Sequence, residues 1–497
     1  MIEPRITYDY ERKLQAVYND IANRGIRIDE SRLKEAKIFV DREITRNLAI
    51  ASNQWNIKLF VGVDNDPNVG KKKGDPTIID AQNLGSTSGE KSFLKLLQNL
   101  GYTVPKITKK AADGDGYETN YSTGELALQR ILRDNQFGYS TGDPAIKAVL
   151  AIRELSKLRS SYLNAHFYRN PVGELYFLSL YNAAGTLTGR RASRKHTYGF
   201  GNNGQNHPKH SRIAEQWRRC LVARPGNIFL MVDQKSAEEW PVSALAQNQL
   251  AIDQMNKGIN RHIWRASYIF NIAEGSKSKK EWKESIEYYL GKKTGHANNY
   301  NMQPPRMSES LIQEGHYISV EACSGMLTRL NSLEPNIRGV FHKYVRDTIN
   351  RCRVLKTPFG RERQFLGLRP NDANNKVFNE AFAFIPQSAI GDNTGFAVAH
   401  IDSSDLDPID KFIVQEGHDS IVEDLPDNLT VLDMALSNSI AAFDRKMRFD
   451  NGIEVQVPLE AEIGYDFNTT VTVDDLSYEG LRIARQKLLE EINKKVA

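Results

Sequence analysis

Apolar residues recur at helical spacing in the first part of the chain, as at Val17 and Ile21. Positions three or four apart lie on one face of a helix, where they can pack against a core. The pattern therefore predicts two helices between Tyr8 and about Trp55, with Gly25 separating them.

Helical and strand patterns alternate through the rest of the chain. Helices are predicted over residues 144–167 and through much of 242–347. Residues 62–91 and 106–123 are polar stretches, and the first of them has the composition of a loop. Aromatic and β-branched residues that alternate or run together predict strands. These strand stretches are 174–181, 228–233, 411–422 and 455–464.

Length and composition limit the class of protein. A chain of 497 residues is too long for one core and should form two to four compact units. With 26% charged and 40% hydrophobic residues it resembles an ordinary globular protein. Three widely separated cysteines indicate a reducing compartment and no zinc site. The chain has no apolar run of membrane-spanning length and no secretory leader, so we expect a cytoplasmic protein without a membrane partner.

The net charge of +5 is small for a chain of this size. A polyanion would therefore be bound by local basic patches rather than by overall attraction. Runs such as 71–73, 109–110 and 157–159 could follow a nucleic-acid backbone, although solvated loops or helix faces have the same pattern.

Two acids stand at predicted strand ends. Asp233 ends an apolar strand, and Asp419 lies in a segment with the pattern strand, tight turn, strand. Phosphoryl transfer by two metal ions needs carboxylates on rigid elements, with the ions about 3.5–4 Å apart. Both acids could meet on one sheet, although an aspartate at a strand end often only fills a turn.

A third group lies between the two acids. Lys292, His296 and Tyr300 are spaced four residues apart and would lie along one helical face, in a helix predicted to stop at Pro304. An ammonium, a polar ring and a phenol on one face suit a nucleoside triphosphate. A solvated helix with Tyr300 in the core is the alternative.

Taken together, these segments resemble the motifs of family A DNA polymerases, the group of the bacterial DNA polymerase I large fragment and many phage replicases. The stretch Val232–Glu238 resembles motif A, the helix with Lys292 and Tyr300 resembles motif B, and the Gly-His-Asp-Ser at 417–420 resembles motif C. Shorter matches are the Thr-Gly-Arg at 188–190, Gln205-Asn206, Arg261-His262 and Pro386-Gln387-Ser388.

The resemblance implies a right-hand α+β fold with a helical thumb, an antiparallel-sheet palm and helical fingers. The expected thumb includes a short segment that contacts the palm at its amino terminus. The palm is expected in two parts, the first with motif A and the second with motif C, and the fingers carry motif B. The expected bounds are thumb 1–165, palm 166–245 and 376–470, fingers 246–375 and a helical tail 471–497.

The resemblance also implies a role for each site residue. Asp233 and Asp419 would bind two Mg²⁺ ions, for which Mn²⁺ can substitute, and Lys292 would act in catalysis and in triphosphate binding. The other implied nucleotide-binding residues are His262, His296, Tyr300 and Glu238. The implied DNA-binding residues are Arg190, Asn206, Gln387 and His418.

Two departures from the family pattern affect the expected function. Tyr288 stands where motif B usually has an arginine, so one phosphate contact must be lost or supplied elsewhere, with Lys293 and Arg265 as the candidates. Ser420 replaces an acid and favours the alternative of a single-subunit phage-type RNA polymerase or primase-like enzyme. Glu238 favours DNA synthesis instead. A catalytically weak DNA-binding homologue is the other alternative.

The expected protein is thus a DNA-directed DNA polymerase reduced to its polymerase domain, with no intrinsic 3′–5′ exonuclease. Its expected partners are primer-template DNA and dNTPs, and a separate exonuclease, helicase-primase or processivity subunit would be compatible with this. If the gene belongs to a phage, the expected location is the cytoplasm of the host cell.

Overall fold

The computed structural model describes residues 8–60, 78–80, 93–110, 117–134, 142–209, 211–366, 376–403 and 412–496, together with Ile6 and Gly138. The helices are α1 (Tyr8–Arg24), α2 (Glu30–Trp55), α3 (Phe93–Asn99), α4 (Glu125–Asp134), α5 (Pro144–Leu158), α6 (Arg212–Arg218), α7 (Glu239–Leu245), α8 (Gln249–Asn256), α9 (Arg261–Phe270), α10 (Lys279–Glu284), α11 (Ile286–Asn299), α12 (Pro304–Gln313), α13 (Val320–Leu333), α14 (Lys343–Cys352), α15 (Lys376–Asp402), α16 (Leu429–Phe443) and α17 (Tyr478–Val496).

The strands are mostly short. They are β1 (Ile26–Ile28), β2 (Lys58–Phe60), β3 (Ile78–Asp80), β4 (Lys106–Lys110), β5 (Tyr117–Tyr121), β6 (Tyr168–Arg169), β7 (Leu175–Phe177), β8 (Leu180–Asn182), β9 (Ala192–Arg194), β10 (Leu221–Val222), β11 (Asn227–Gln234), β12 (Val354–Lys356), β13 (Glu362–Gln364), β14 (Ile413–Glu416), β15 (Ser420–Pro426), β16 (Met447–Arg448), β17 (Glu454–Val455), β18 (Leu459–Gly464) and β19 (Thr470–Val473).

A five-stranded antiparallel sheet lies at the centre, in the order β14-β15-β11-β18-β19. Side chains alternate between the two faces of a strand, and both faces of β11 are covered. Ile228, Leu230 and Val232 enter one hydrophobic core with residues of α1, α16 and α17. Phe229 enters another core with residues of α2 and α5. This double burial explains why the strand appears in the sequence as one continuous apolar run.

The helix α5 begins where the sequence signals a start. The Asp143 side chain accepts hydrogen bonds from the backbone N–H groups of Ala145 and Ile146 at 2.9 and 3.2 Å, and Pro144 occupies the first turn. Such a cap supplies partners to the free N–H groups of a helix start. The helix then packs along α2 in a shared core.

The helices α9 and α11 approach each other closely because Gly291 and Gly295 face α9. A Cβ at Gly291 would lie 2.9 Å from the Cβ of Ala266, and one at Gly295 would lie 2.5 Å from a guanidinium nitrogen of Arg265. Small residues on one helix thus fix the distance to the next.

Several expectations need adjustment. The stretch 174–181 is two strands in different sheets, which are separated by Leu178 and Ser179; the Ser179 hydroxyl donates to the Asn202 carbonyl at 2.8 Å. Residues 106–110 and 117–121 of the polar stretch 106–123 form an antiparallel hairpin. The predicted loop 62–91 lies outside the described residues, apart from β3.

The expected domain bounds can be compared with the helices and strands of the structure. The helix α1, inside the expected thumb, packs in the core of the central sheet. The expected helical tail starting at 471 is wrong at its beginning, because the β-branched run Thr470–Val473 pairs with β18. The helix of the tail is α17.

The mixed α and β interpretation is confirmed. A bilayer-spanning helix is absent from the part of the chain that the structure describes.

Candidate active site

The two predicted acids meet at one end of the central sheet. Asp233 is the last but one residue of β11 and pairs with Ser420, the first residue of β15. Asp419 directly precedes Ser420, and its backbone carbonyl accepts a hydrogen bond from the Gln234 N–H at 3.0 Å. The backbone therefore holds both acids at the same sheet edge.

A buried amide fixes this end of β11. The Gln234 side chain donates to the Thr394 hydroxyl at 2.9 Å and accepts from the Asn393 amide at 2.8 Å, both on α15. Buried polar groups that are mutually hydrogen-bonded specify one arrangement of the chain. The strand end that carries Asp233 is thus held against a long helix.

A cavity of about 370 Å³ opens between the sheet end and the helices α9, α10 and α11. Six of the predicted site residues line it, namely Asp233, Asp419, Glu238, His262, Lys292 and His296. The acids lie on the sheet side and Lys292 lies on the helical side.

The two acids perturb each other. The protein packed around Asp233, followed by the Asp419 carboxylate, raises the pKa of Asp233 to about 8. Two carboxylates at one site cannot both ionise easily without a cation between them. Oxygen ligands of this kind are those that Mg²⁺ prefers. The pair therefore fits a divalent cation, although no cluster of three or more ligating side chains occurs among the residues described.

Glu460 is a wall residue that sequence reasoning did not single out. It lies directly across from Asp233 in β18, lines the cavity and forms an ion pair with Lys235 at 3.1 Å. The available signal was its place in the predicted strand 455–464, which assigns no role to this acid.

Glu238 lies between two predicted site residues. Its carboxylate accepts hydrogen bonds from the Tyr300 hydroxyl and the Arg190 guanidinium. Burial and the Glu238 carboxylate raise the pKa of Tyr300 well above its usual range, so the phenol keeps its proton and donates. The acid, the phenol and the guanidinium form one fixed group beside the cavity.

The helix α11 carries Lys292 and His296 toward the cavity. It ends at Asn299 rather than at Pro304, because Asn301 adopts a left-handed backbone conformation with φ 55°. Tyr300 is therefore the residue that caps the helix, and it still reaches Glu238.

His262 is held as a neutral ring. Burial lowers its pKa to about 3, so the imidazole carries no charge at neutral pH. Its ring centroid lies 5.8 Å from that of Tyr288 and 6.2 Å from that of His296. Its buried Nδ1 has no hydrogen-bond partner in the described part of the chain. The ring can offer a hydrogen bond to a ligand but no ionic attraction.

Neither expected substitute for the motif B arginine faces the cavity. Lys293 forms an ion pair with Glu314, on the other side of α11. Arg265 is 1% exposed and donates to Glu239 at 2.7 and 2.8 Å and to Glu334 at 2.7 Å. Neither residue lines the cavity, and both are paired, so the structure does not support the expectation that one of them supplies the phosphate contact.

The Arg265 network ties four segments together. Glu239 also accepts from the Asn299 amide at 3.2 Å, and Glu334 also accepts from Arg261. The network joins the start of α7, the helix α9, the end of α11 and the residue after α13. One of its members, Glu239, directly follows Glu238 in the chain.

Replacing Arg265 with alanine should lower the free energy of unfolding by about 3–5 kcal/mol, because Glu239 and Glu334 would be left buried without their cation. Urea denaturation measures this. The matched control is Arg12→Ala, whose side chain is 69% exposed and whose pair with Asp9 spans 3.7 Å. That change should stay within about 0.5 kcal/mol. Equal losses in the two variants would show that the network does not stabilise the fold.

The predicted DNA-binding residues are only partly brought together. Arg190 lies beside Gly391 of α15 and near His418, whose pKa is lowered by burial and by the Arg190 charge. Gln387 is half-buried on α15. Asn206 is exposed, and its carbonyl accepts from the Tyr162 hydroxyl at 2.5 Å. No described contact links Asn206 to the other three.

Comparisons with known proteins agree with this geometry. The family model "DNA polymerase family A" matches residues 80–469. The thermostable DNA polymerase I of Thermus filiformis is 23% identical over 460 residues, which are 92% of this chain and 47% of that protein. The enzyme of the same name from Thermus aquaticus is 23% identical over 469 residues, which are 93% of this chain and 48% of that protein. The chain thus spans about half the length of these relatives.

A solved structure is similar over nearly the whole chain. It is the POL domain of Pol1 from M. smegmatis in complex with a DNA primer-template and a dNTP. The TM-score is 0.68 at 18% identity, covering 92% of this chain and 70% of that one. This similarity confirms the expected right-hand fold. With the family model matched over most of its length, the chain belongs to DNA polymerase family A.

Proposed function

We propose that this chain is a template-directed DNA polymerase that extends the 3′ end of a primer with dNTPs. The observation that carries the proposal is the cavity with Asp233 and Asp419 on one wall and Lys292 on the facing wall. Carboxylates opposite a cation suit the metal-assisted transfer of a nucleotide. The ligands of the M. smegmatis relative support the same substrates.

Asp233 and Asp419 would hold two Mg²⁺ ions, and Mn²⁺ could replace them. When bound, such ions activate the attacking oxygen and neutralise charge on the leaving group. The protein's own part is to hold the two carboxylates together at the sheet edge, where burial and the neighbouring Asp419 raise the pKa of Asp233 and so favour a bound cation.

The incoming nucleotide would be held between the sheet and α11. Lys292 would bind the triphosphate, and the neutral His262 would donate a hydrogen bond to a phosphate oxygen. His296 would lie beside the sugar and base. The Tyr300–Glu238 hydrogen bond would form the floor under the deoxyribose.

The primer-template would contact Arg190, Gln387 and His418 near the primer terminus, with Asn206 further away. Contacts of this kind in the minor groove address acceptors shared by all base pairs and so need no sequence readout. Arg190 adds a link between the DNA and the sugar pocket, since its guanidinium pairs with Glu238.

The alternative of a phage-type RNA polymerase or primase-like enzyme rests on Ser420. The hydrogen bond between Tyr300 and Glu238 argues against it, because a ribose 2′-hydroxyl would meet a carboxylate already in use. A catalytically weak homologue is disfavoured by the presence of both acids and Lys292 at one cavity. The absence of an intrinsic exonuclease, a cytoplasmic location and any separate subunit stay predictions.

Replacing Lys292 with alanine should raise the KM for dNTP and lower kcat, because an ammonium facing the triphosphate acts in both binding and transition-state stabilisation. We expect a fall in kcat/KM on the order of 100-fold. Single-nucleotide primer extension measures it.

Lys293→Ala is the matched control, since its ammonium is paired with Glu314 and does not line the cavity. It should change kcat/KM by about twofold at most. A larger effect at Lys293 than at Lys292 would show that the wrong face of α11 has been assigned to the nucleotide.

The proposed function itself is tested by primer extension with dNTPs and rNTPs in parallel, in the presence of Mg²⁺. Extension with dNTPs alone supports a DNA polymerase. Extension with rNTPs alone would support the RNA polymerase alternative, and no extension at all would support the catalytically weak homologue.

A further inference from the structure

Two lysines of the short helix α10 line the same cavity without an assigned role. Lys279 and Lys283 are four residues apart and therefore lie on one face of the helix. Both side chains are exposed. Among the described residues, neither lysine lies within ion-pair distance of a carboxylate; the neighbouring Lys277 is paired instead, with Glu287.

The helix that carries these lysines is held firmly in place. A capping box joins Ser278 and Glu281 at its start. The Trp282 side chain is buried, and its indole N–H donates to the Glu274 carbonyl at 2.9 Å. The Lys277 ammonium lies 4.9 Å from the Trp282 ring and forms an ion pair with Glu287 at 3.1 Å. The two cavity lysines thus project from a fixed support.

The motif B helix, α11, brings fewer positive charges to the cavity than the family pattern does. Tyr288, which stands at the usual arginine position, lines the cavity and brings no cation to it. Lys293 and Arg265 are engaged elsewhere, as described above. Lys292 is then the one cation of α11 that lines the cavity in the described structure. A nucleoside triphosphate, in contrast, carries several negative charges.

Charged side chains line two sides of the cavity. Asp233 and Asp419 lie at the sheet end with the Lys235–Glu460 ion pair, whereas Lys279, Lys283 and Lys292 lie on α10 and α11. Glu238 and Glu239 also line the cavity, but they are paired with Arg190 and Arg265. A charged nucleotide would therefore be oriented with its reacting phosphate toward the acids and its terminal phosphates toward the lysines.

We propose that Lys279 and Lys283 bind the β- and γ-phosphates of the incoming nucleoside triphosphate, in place of the arginine that Tyr288 has replaced. This inference rests on the proposed function of the cavity. Ammonium groups bind phosphate oxygens by charge-assisted hydrogen bonds without needing the fixed geometry of a guanidinium.

The test is the Kd of dATP for the protein on a primer-template whose primer ends in a dideoxynucleotide, opposite a template T. The dideoxy end prevents chemistry, so the measurement reports binding alone. We expect Lys279→Ala/Lys283→Ala to raise the Kd about fivefold to tenfold. The matched control is Lys280→Ala, on the same helix but not at the cavity, which should leave the Kd unchanged.

A third variant tests whether the two lysines take the place of an arginine at position 288 or only contribute general positive charge. Adding Tyr288→Arg to the double variant should restore most of the lost affinity. An unchanged Kd in the double variant, or an equal rise in Lys280→Ala, would overturn the inference. These outcomes differ from failure of the proposed function, in which the wild-type protein neither binds dATP in a template-dependent way nor extends a primer.

Discussion

Asp233→Ala or Asp419→Ala will abolish primer extension, with a loss in rate on the order of 10³-fold or more. The reason is that each variant removes one of the two carboxylates that meet at this end of the central sheet. Primer-template binding should change by about twofold at most, because the proposed DNA contacts involve other side chains. Extension assays and binding to labelled duplex measure the two effects separately.

Asp474→Ala is the control for a general effect of removing an acid from this sheet. Asp474 directly follows β19, and its side chain is 77% exposed and paired with Lys487 at 3.1 Å. Extension should be unaffected in this variant. If Asp233→Ala or Asp419→Ala kept near-native extension with Mg²⁺, that residue would not be a metal ligand.

Glu238→Ala should admit ribonucleotides. In the wild type the Glu238 carboxylate is held by the Tyr300 hydroxyl and the Arg190 guanidinium, so it cannot move aside for a 2′-hydroxyl. A site that would lose a buried hydrogen bond rejects an added hydroxyl strongly. We expect the ratio of kcat/KM for dATP over ATP to fall on the order of 100-fold, with some loss of dATP efficiency.

Tyr300→Phe refines this experiment because it removes the phenol donor and keeps the ring. The ratio should fall less than in Glu238→Ala, since the Arg190 contact remains. An unchanged ratio in Glu238→Ala would remove this acid from the sugar pocket. A wild type that used ATP as well as dATP would contradict the assignment to DNA synthesis.

The elements that carry the acids were predictable because their signals are local. The apolar run before Asp233 is continuous because the strand is covered on both faces, and the hairpin around Asp419 has a Gly in its turn. The order of the motifs then indicated the family, which the comparisons confirm. The meeting of the two acids followed from strand ends on one sheet.

The charged interior of the fingers was not predictable in the same way. Arginines ordinarily lie at the surface, yet Arg261 and Arg265 are buried and paired with Glu334, about seventy residues later in the chain. Only the tertiary fold brings these partners together. The same long-range packing makes His262 neutral, which no local pattern indicates.

The antiparallel strand pair within 106–121 was not predicted, for a different reason. The segments 106–110 and 117–121 are mostly polar in sequence, and their apolar pattern is too weak to predict strands, so backbone pairing is the signal that remains. The two short strands at 175–177 and 180–182 were predicted as one because the apolar pattern continues through Leu178 between them.

Single-nucleotide extension under template control tests the central claim most directly. The purified protein would be given Mg²⁺, a primer-template with one defined templating base, and each of the four dNTPs separately. The account predicts rapid addition of the complementary dNTP, much slower addition of the other three, and no addition by Asp233→Ala. Addition without regard to the templating base, or equal addition by Asp233→Ala, would contradict it.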